Sequence, residues 1–303
     1  MIHMNSFETI LSIILMILLG YLMKILGVLK EKDAYSLNKV VVNIAIPSLI
    51  FNSLYNSEIS TIAALLKMPL VSVTISFLVG IMAFTWTKMA YYDKRRAWSV
   101  ILPAAMVNSG FMGYPVVLGV FGDSGLLRAI LYDMGSVFVF LIMGIMLAFI
   151  FGNDYKRILR KTLFFPPLWA LFFGVAFNAL SLPIGIISNV IDYLSGAAIP
   201  LIMISLGLSL NFMVIRSSLK DAAIVSIFKL LISPLLATLL IILFSFSDLE
   251  KSVAIIEAAM PSAMLSMVLS IENNLDINLT AACVFMSTAL SLITLPLIIT
   301  FIG

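Results

Sequence analysis

The sequence predicts an all-α integral membrane protein of ten transmembrane helices in a five-plus-five inverted repeat, with the fourth and ninth helices broken and crossing at the midplane. Composition, the spacing of apolar stretches and an internal repeat carry that reading. Of 303 residues, 62% are AVILMFWYC, and 16 glycines bring the apolar share to about 67%, against roughly 45–50% in soluble domains. With 18 Lys and Arg, 15 Asp and Glu and a mean hydropathy of +1.16, lipid must solvate most of the chain. The net charge of +3 is sorted by membrane side and points to no nucleic acid. Cys283 is the single cysteine, which excludes an intramolecular disulfide.

Ten apolar stretches run roughly 7–29, 36–56, 62–88, 97–121, 125–151, 163–181, 184–212, 219–246, 251–271 and 276–301. Each approaches the roughly 18–25 residues that cross about 30 Å of hydrocarbon. Met1–Thr9 holds no Lys or Arg and precedes a run long enough to span, so no cleaved signal peptide is expected. Only Ser181, Leu182 and Pro183 part the sixth stretch from the seventh, and a central loop is expected at about 153–162.

Basic residues test the count. Lys24, Lys30, Lys32 and Lys39 flank the first loop, Lys88, Lys94, Arg95 and Arg96 the third, Lys156, Arg157, Arg160 and Lys161 the fifth, and Arg216 and Lys220 the seventh. These 14 fall on one side, against Lys67, Arg128 and Lys251 on the other, with Lys229 inside a span. The excess marks the cytoplasmic side, so a multi-pass protein of the cell membrane with both termini non-cytoplasmic is expected.

Three landmarks recur at a nearly constant offset. Gly20 matches Gly174 at 154 residues, Pro47 matches Pro200 at 153, and Ala104-Ala105-Met106 matches Ala258-Ala259-Met260 at 154. The repeats are 1–155 and 156–303. Five spans is an odd number, so the second copy enters from the opposite face, as in many secondary transporters.

The fourth stretch contains AAMVNSGFMGYP, in which Asn108, Ser109, Gly110, Gly113 and Pro115 crowd together and would poorly sustain a helix. Its partner in the ninth is EAAMPSAM, with Pro261 and Ser262 matching Val107 and Asn108. Both lie about 15–17 Å into their spans at the helical rise, near the midplane. Interrupted helices there present backbone groups that only protein, water or a substrate can satisfy. Half-helix N-termini suit an anion, a carboxylate above all, without a cationic side chain.

Charges inside spans each need a reason. Lys229 either pairs with a bound anion or neutralises the carbonyl ends of the half-helices. Glu257 lies one turn before Pro261 on the same helical face, and Asp133 is at comparable depth. Either carboxylate is a proton or cation carrier, or the two brace the bundle. Asp123 and Asp192 lie near span ends and read as solvated, and the third span offers Ser72, Thr74 and Ser76 but no charge.

NSGFMGYP followed by VVLGVFG, then EAAMPSAM followed by TALSLITLPL, resemble the auxin efflux carrier family over the whole chain, and the short central loop resembles its bacterial and archaeal malate-permease-like members. The resemblance implies a fold similar to bile-acid symporters and sodium–proton antiporters. Helices one, two, six and seven would form a scaffold around the Asn43, Pro47 and Pro200 region, facing the site, and the rest a moving transport domain. The family's N-x-x-x-M-G-x-P pattern falls on Asn108, Met112, Gly113 and Pro115, its ninth-helix proline on Pro261, and its eighth-helix basic residue and proline on Lys229 and Pro234. Val107 stands where plant exporters carry a proline.

The function expected is secondary transport of a small organic anion, such as malate, malonate or an auxin-like acid, by alternating access. Asn108, Ser109, Gly113, Pro115, Pro261 and Ser262 would bind it, while Lys229, Glu257 and Asp133 couple or compensate charge. A sodium-coupled symporter or a cation–proton antiporter are the alternatives. No cofactor is expected beyond a coupling Na⁺ or H⁺, no metal site, and no partner beyond substrate, lipid and, by analogy with the plant relatives, a second copy of the chain. An intramembrane enzyme is disfavoured: His3 is the only histidine, and the Tyr132-Asp133 pair lacks the Gly-x-Gly-Asp partner of an aspartyl protease near Gly122. A channel is disfavoured because nothing resembles a selectivity filter.

Overall fold

A computed structural model describes residues 6–210, 218–243 and 246–302. His3 and Arg216 lie outside them. The described residues are helical, apart from turns and a single isolated β-bridge. Seven helical stretches are long and apolar enough to cross a membrane: Lys32–Tyr55, Ile59–Met89, Ser109–Phe151, Tyr155–Ala179, Ile187–Ser209, Leu219–Ile242 and Ile277–Ile302, with Ile10–Ile25 a shorter apolar helix. The stretches expected at 97–121 and 251–271 are each interrupted, the first between Lys94–Ala105 and Tyr114–Phe151 and the second between Asp248–Ala258 and Leu265–Glu272, so neither forms one continuous helix.

The chain divides into two compact units that interleave along the sequence. The first comprises Met1–Leu66, Tyr114–Ile130 and Leu163–Leu210. It holds α1 (Ser6–Ile25), α2 (Glu31–Val40), a π-helical turn Val41–Ala45, α3 (Ile46–Tyr55) and α4 (Ile59–Ala64). Its α1 packs on the later helix α10 (Ile187–Ser209) backbone to backbone, because a Cβ at Gly20 would overlap the Ile204 carbonyl and one at Gly207 the Ile17 carbonyl. Lys24 Nζ closes that pair by donating to the Leu210 carbonyl at 2.8 Å. α3 lies against α9 (Pro166–Ala179), where Asn178 Nδ2 donates to the carbonyls of Leu54, Tyr55 and Ser57 at 2.8, 2.9 and 2.5 Å. Leu54 and Tyr55 end α3 and Ser57 lies just beyond it, where carbonyls lack the regular helical donor four residues on.

The second unit comprises Lys67–Gly113, Leu131–Thr162 and Asn211–Gly303. It contains α5 (Lys67–Met89), α6 (Lys94–Ala105) and a π-helical turn Ser109–Gly113. α7 (Tyr114–Phe151) follows, its part from Leu131 onward belonging to this unit. Gly122, at φ 65° and ψ −160°, breaks it where the sequence predicts the end of the fourth span. α8 (Tyr155–Leu163) replaces the loop expected at 153–162. Its Lys156, Arg157, Arg160 and Lys161 share the helix with Ile158 and Thr162, which are buried, and Ile158 rests on Gly144. A basic run with apolar residues at helical spacing makes an amphipathic helix rather than a loop.

The remainder is α11 (Leu219–Ile227), a π-helical turn Phe228–Ile232, α12 (Ser233–Leu243), α13 (Asp248–Ala258), α14 (Leu265–Glu272) and α15 (Ile277–Ile302). Polar clamps join these helices. Asp221 accepts from Tyr92 at 2.5 Å and pairs with Arg96 at 3.0 Å, and burial together with that bond pushes the Tyr92 hydroxyl up to about 12. Thr280 donates to the Ser99 carbonyl at 3.2 Å, and Lys161 pairs with Glu272.

Candidate functional site

α6 begins on an N-cap, Asp93, whose carboxylate accepts from the Arg95 and Arg96 N–H groups at 2.9 and 3.1 Å. It ends at Ala105 because the chain turns extended at Met106, φ −93° and ψ 127°. α13 begins on a capping box, Ser247 N–H to Glu250 at 2.7 Å, and ends just before Pro261. Proline has no N–H to continue a ladder. The two freed segments pair with each other. Val107 and Ser262 form an antiparallel bridge, Asn108 N–H donates to the Pro261 carbonyl at 2.9 Å, and Ala263 N–H donates to the Met106 carbonyl at 3.0 Å.

Backbone groups at the two breaks are thereby largely satisfied. The Asn108 carbonyl takes the N–H groups of Met112 and Gly113 at 3.1 and 3.3 Å, starting the π-helical turn, and Ser262 N–H donates to Ser287 Oγ at 3.2 Å. Several side chains are not satisfied. Asn108 Nδ2, Ser262 Oγ and both Glu257 oxygens are buried without a hydrogen-bond partner. Native interiors hold few such groups, and these four atoms belong to residues at or within one turn of the interruptions.

The turn Ser109–Gly113 brings in the remaining acid. Ser109 Oγ donates to Asp133 and sits 3.0 Å from Ser136 Oγ, which is 3.2 Å from Ser72 Oγ. Asp133 lies against Gly110, while the Glu257 carboxylate lies where a Cβ of Gly113 would stand. Gly113 therefore makes room for Glu257, and Pro115 is a buried first-turn residue of α7. Lys229 is 1% exposed in the Phe228–Ile232 turn and forms no ion pair among the described residues, so no contact joins it to either acid. Asn43, Pro47 and Pro200 belong to the first unit: Asn43 is exposed and donates to the Lys39 carbonyl at 2.7 Å, Pro47 lies in the first turn of α3, and Pro200 sits inside an unbroken α10. Sequence reasoning missed Ser136 and Ser287. Ser136 was findable, because it lies three residues beyond Asp133 on one helical face.

The description "membrane transport protein" fits residues 5–299. The chain belongs to that family. It is the family whose auxin efflux carriers the NSGFMGYP and EAAMPSAM motifs resemble. An uncharacterized transporter of Methanothermobacter thermautotrophicus is 51% identical over 297 residues, covering 98% of each chain. Another, from Methanocaldococcus jannaschii, is 38% identical over 304 residues and covers 97% of this chain and 98% of its own. Among solved structures, a sodium–proton antiporter of Methanocaldococcus jannaschii shares the fold at TM-score 0.54 and 14% identity, covering 96% of this chain and 90% of its own. The transporter is a multi-pass membrane protein with buried, unpartnered polar atoms of Asn108, Glu257 and Ser262 at two interrupted helices.

Proposed function

We propose that this transporter is a secondary carrier of a small organic anion, working by alternating access around the paired interruptions. The observation that carries the reading is the Val107–Ser262 bridge, which satisfies the backbone yet leaves Asn108 Nδ2 and Ser262 Oγ buried and unpartnered. Such donors await a ligand acceptor. Asn108, Ser109 and Ser262 hydrogen-bond the substrate, Gly113, Pro115 and Pro261 keep the backbone open around it, and Lys229 supplies charge compensation. The ten-span, five-plus-five topology with both termini outside the cytoplasm belongs to this reading, supported by the 154-residue offsets and the distribution of Lys and Arg. The second unit, which carries both interruptions, is the moving part, and the helices of Asn43, Pro47 and Pro200 are the scaffold.

The test is electrical. Purified protein in liposomes on a solid-supported membrane is jumped with malate, malonate, succinate and indole-3-acetate, with and without sodium or pH gradients. Saturable anion-evoked currents that Asn108→Ala removes are expected. Currents evoked by sodium or pH alone would replace the reading with a cation–proton antiporter, the alternative favoured by the shared fold and by the bare Glu257 carboxylate.

A further inference from the structure

Glu257 takes no part in pairing the interruptions, and it is the least explained group in the molecule. Its side chain is fully buried, and neither oxygen has a donor. Asp133 differs: it is half-buried and receives the Ser109 hydroxyl. The two carboxyls flank a single turn, Asp133 against Gly110 and Glu257 against Gly113, and neither glycine offers a side chain to solvate them.

The surroundings supply no cation. Asp133 and Tyr132 of α7 are the titratable groups that face Glu257. α5 contributes Lys67 in its first turn and Lys88 in its last, and Lys67 pairs at 2.9 Å with Glu250 at the far end of α13. The Ser109–Gly113 turn and α12 hold no ionisable side chain, α15 holds only Cys283, and Lys229 forms no ion pair among the described residues. A carboxylate stripped of water, donors and counter-charge is strongly disfavoured and neutralises instead. A neutral acid, by contrast, can rest directly on the Cα of a glycine.

We propose that Glu257 is the proton-binding carboxyl of this transporter, taking up one proton per cycle on a carboxylate oxygen and holding it against Gly113. Only the O–H bond forms and breaks, and the proton leaves to whichever side the junction opens. The place in a cycle rests on the carrier reading above; the proton site itself does not.

Two measurements separate them. Infrared difference spectra of the full chain in lipid, taken across a pH jump, are expected to contain the carbonyl stretch of a protonated carboxylic acid. Glu257→Gln should delete that band, Asp133→Asn should keep it, and Glu257→Asp should keep it at a shifted frequency, which guards against a misfolded glutamine variant. A Glu257→Gln spectrum that retains the full band overturns the proposal, as does a wild-type band that answers to sodium at constant pH and not to pH. In liposomes, Glu257→Gln should lose the anion uptake driven by a pH gradient, and Glu257→Asp should keep it. Gradient-driven uptake at the wild-type level in the glutamine variant also overturns it. An intact band that Glu257→Gln deletes, in a protein that moves none of the anions, sinks the carrier reading and supports the proton site.

Discussion

The carboxylate of Glu257 occupies the volume in which a Cβ of Gly113 would stand, so one residue's side chain is admitted by the other's lack of one. Gly113→Ala must therefore displace a buried acid or shift the turn. The expected cost is about 1–3 kcal/mol, the usual range for overpacking, read as a lower unfolding temperature of the purified protein. Gly113→Ala combined with Glu257→Ala should recover most of the loss, because the two positions are in contact. Additive losses would break the link between them.

Asn108 enters the bridge through its N–H and starts the π-helical turn through its carbonyl, while its side-chain amide nitrogen has no partner. Asn108→Ala should thus leave thermal stability within about 0.5 kcal/mol and lower anion transport roughly tenfold or more, the worth of one polar contact. Wild-type kinetics in the variant would remove Asn108 from the site.

Gly20 and Gly207 let α1 and α10 meet at backbone distance. Membrane helices associate through such small residues. Gly207→Val should lower the unfolding temperature more than Gly196→Val, since a Cβ at Gly196 meets nothing within 4 Å. Equal effects would point to helix propensity instead of packing.

Burial alone would raise the Glu250 carboxyl, but the Lys67 ammonium at 2.9 Å and the Ser247 cap hold it below its ordinary value of 4.5. A carboxyl whose value is depressed in the folded state contributes stability that is present above pH 4.5 and lost as pH falls through the folded-state value. Unfolding temperatures recorded downward from neutral pH should drop below that point, and Glu250→Gln should flatten that part of the curve. Unchanged acid sensitivity would show that the Lys67 pair is too well solvated to matter.

Much of this was legible in residue order. Gly, Ser and Pro crowding marks the interruptions at Asn108 and Pro261, because helix breakers act locally and leave their trace in the sequence. The pairing of Val107 with Ser262 was visible only as a repeat offset, since a bridge between distant segments has no local signature. Lys229 shows the limit most plainly: depth along a span says how far a side chain lies from the interface but not which way the helix turns it. The basic run at 156–161 reads as a loop by charge and as α8 by spacing, and the burial of Ile158 decides for the helix.

The bridge also has a consequence for how the protein is made. When α6 and the first turns of α7 leave the ribosome, Ser262 is still about 150 residues from being synthesised. Until then the Met106 carbonyl and the Asn108 N–H have no partner, and hydrocarbon gives them none. The nascent first half must wait in the insertion machinery, or at its watery edge, for the segment that closes it. Truncated chains ending before Pro261 should accordingly be cleared by quality-control proteases, whereas chains cut after α14 should persist.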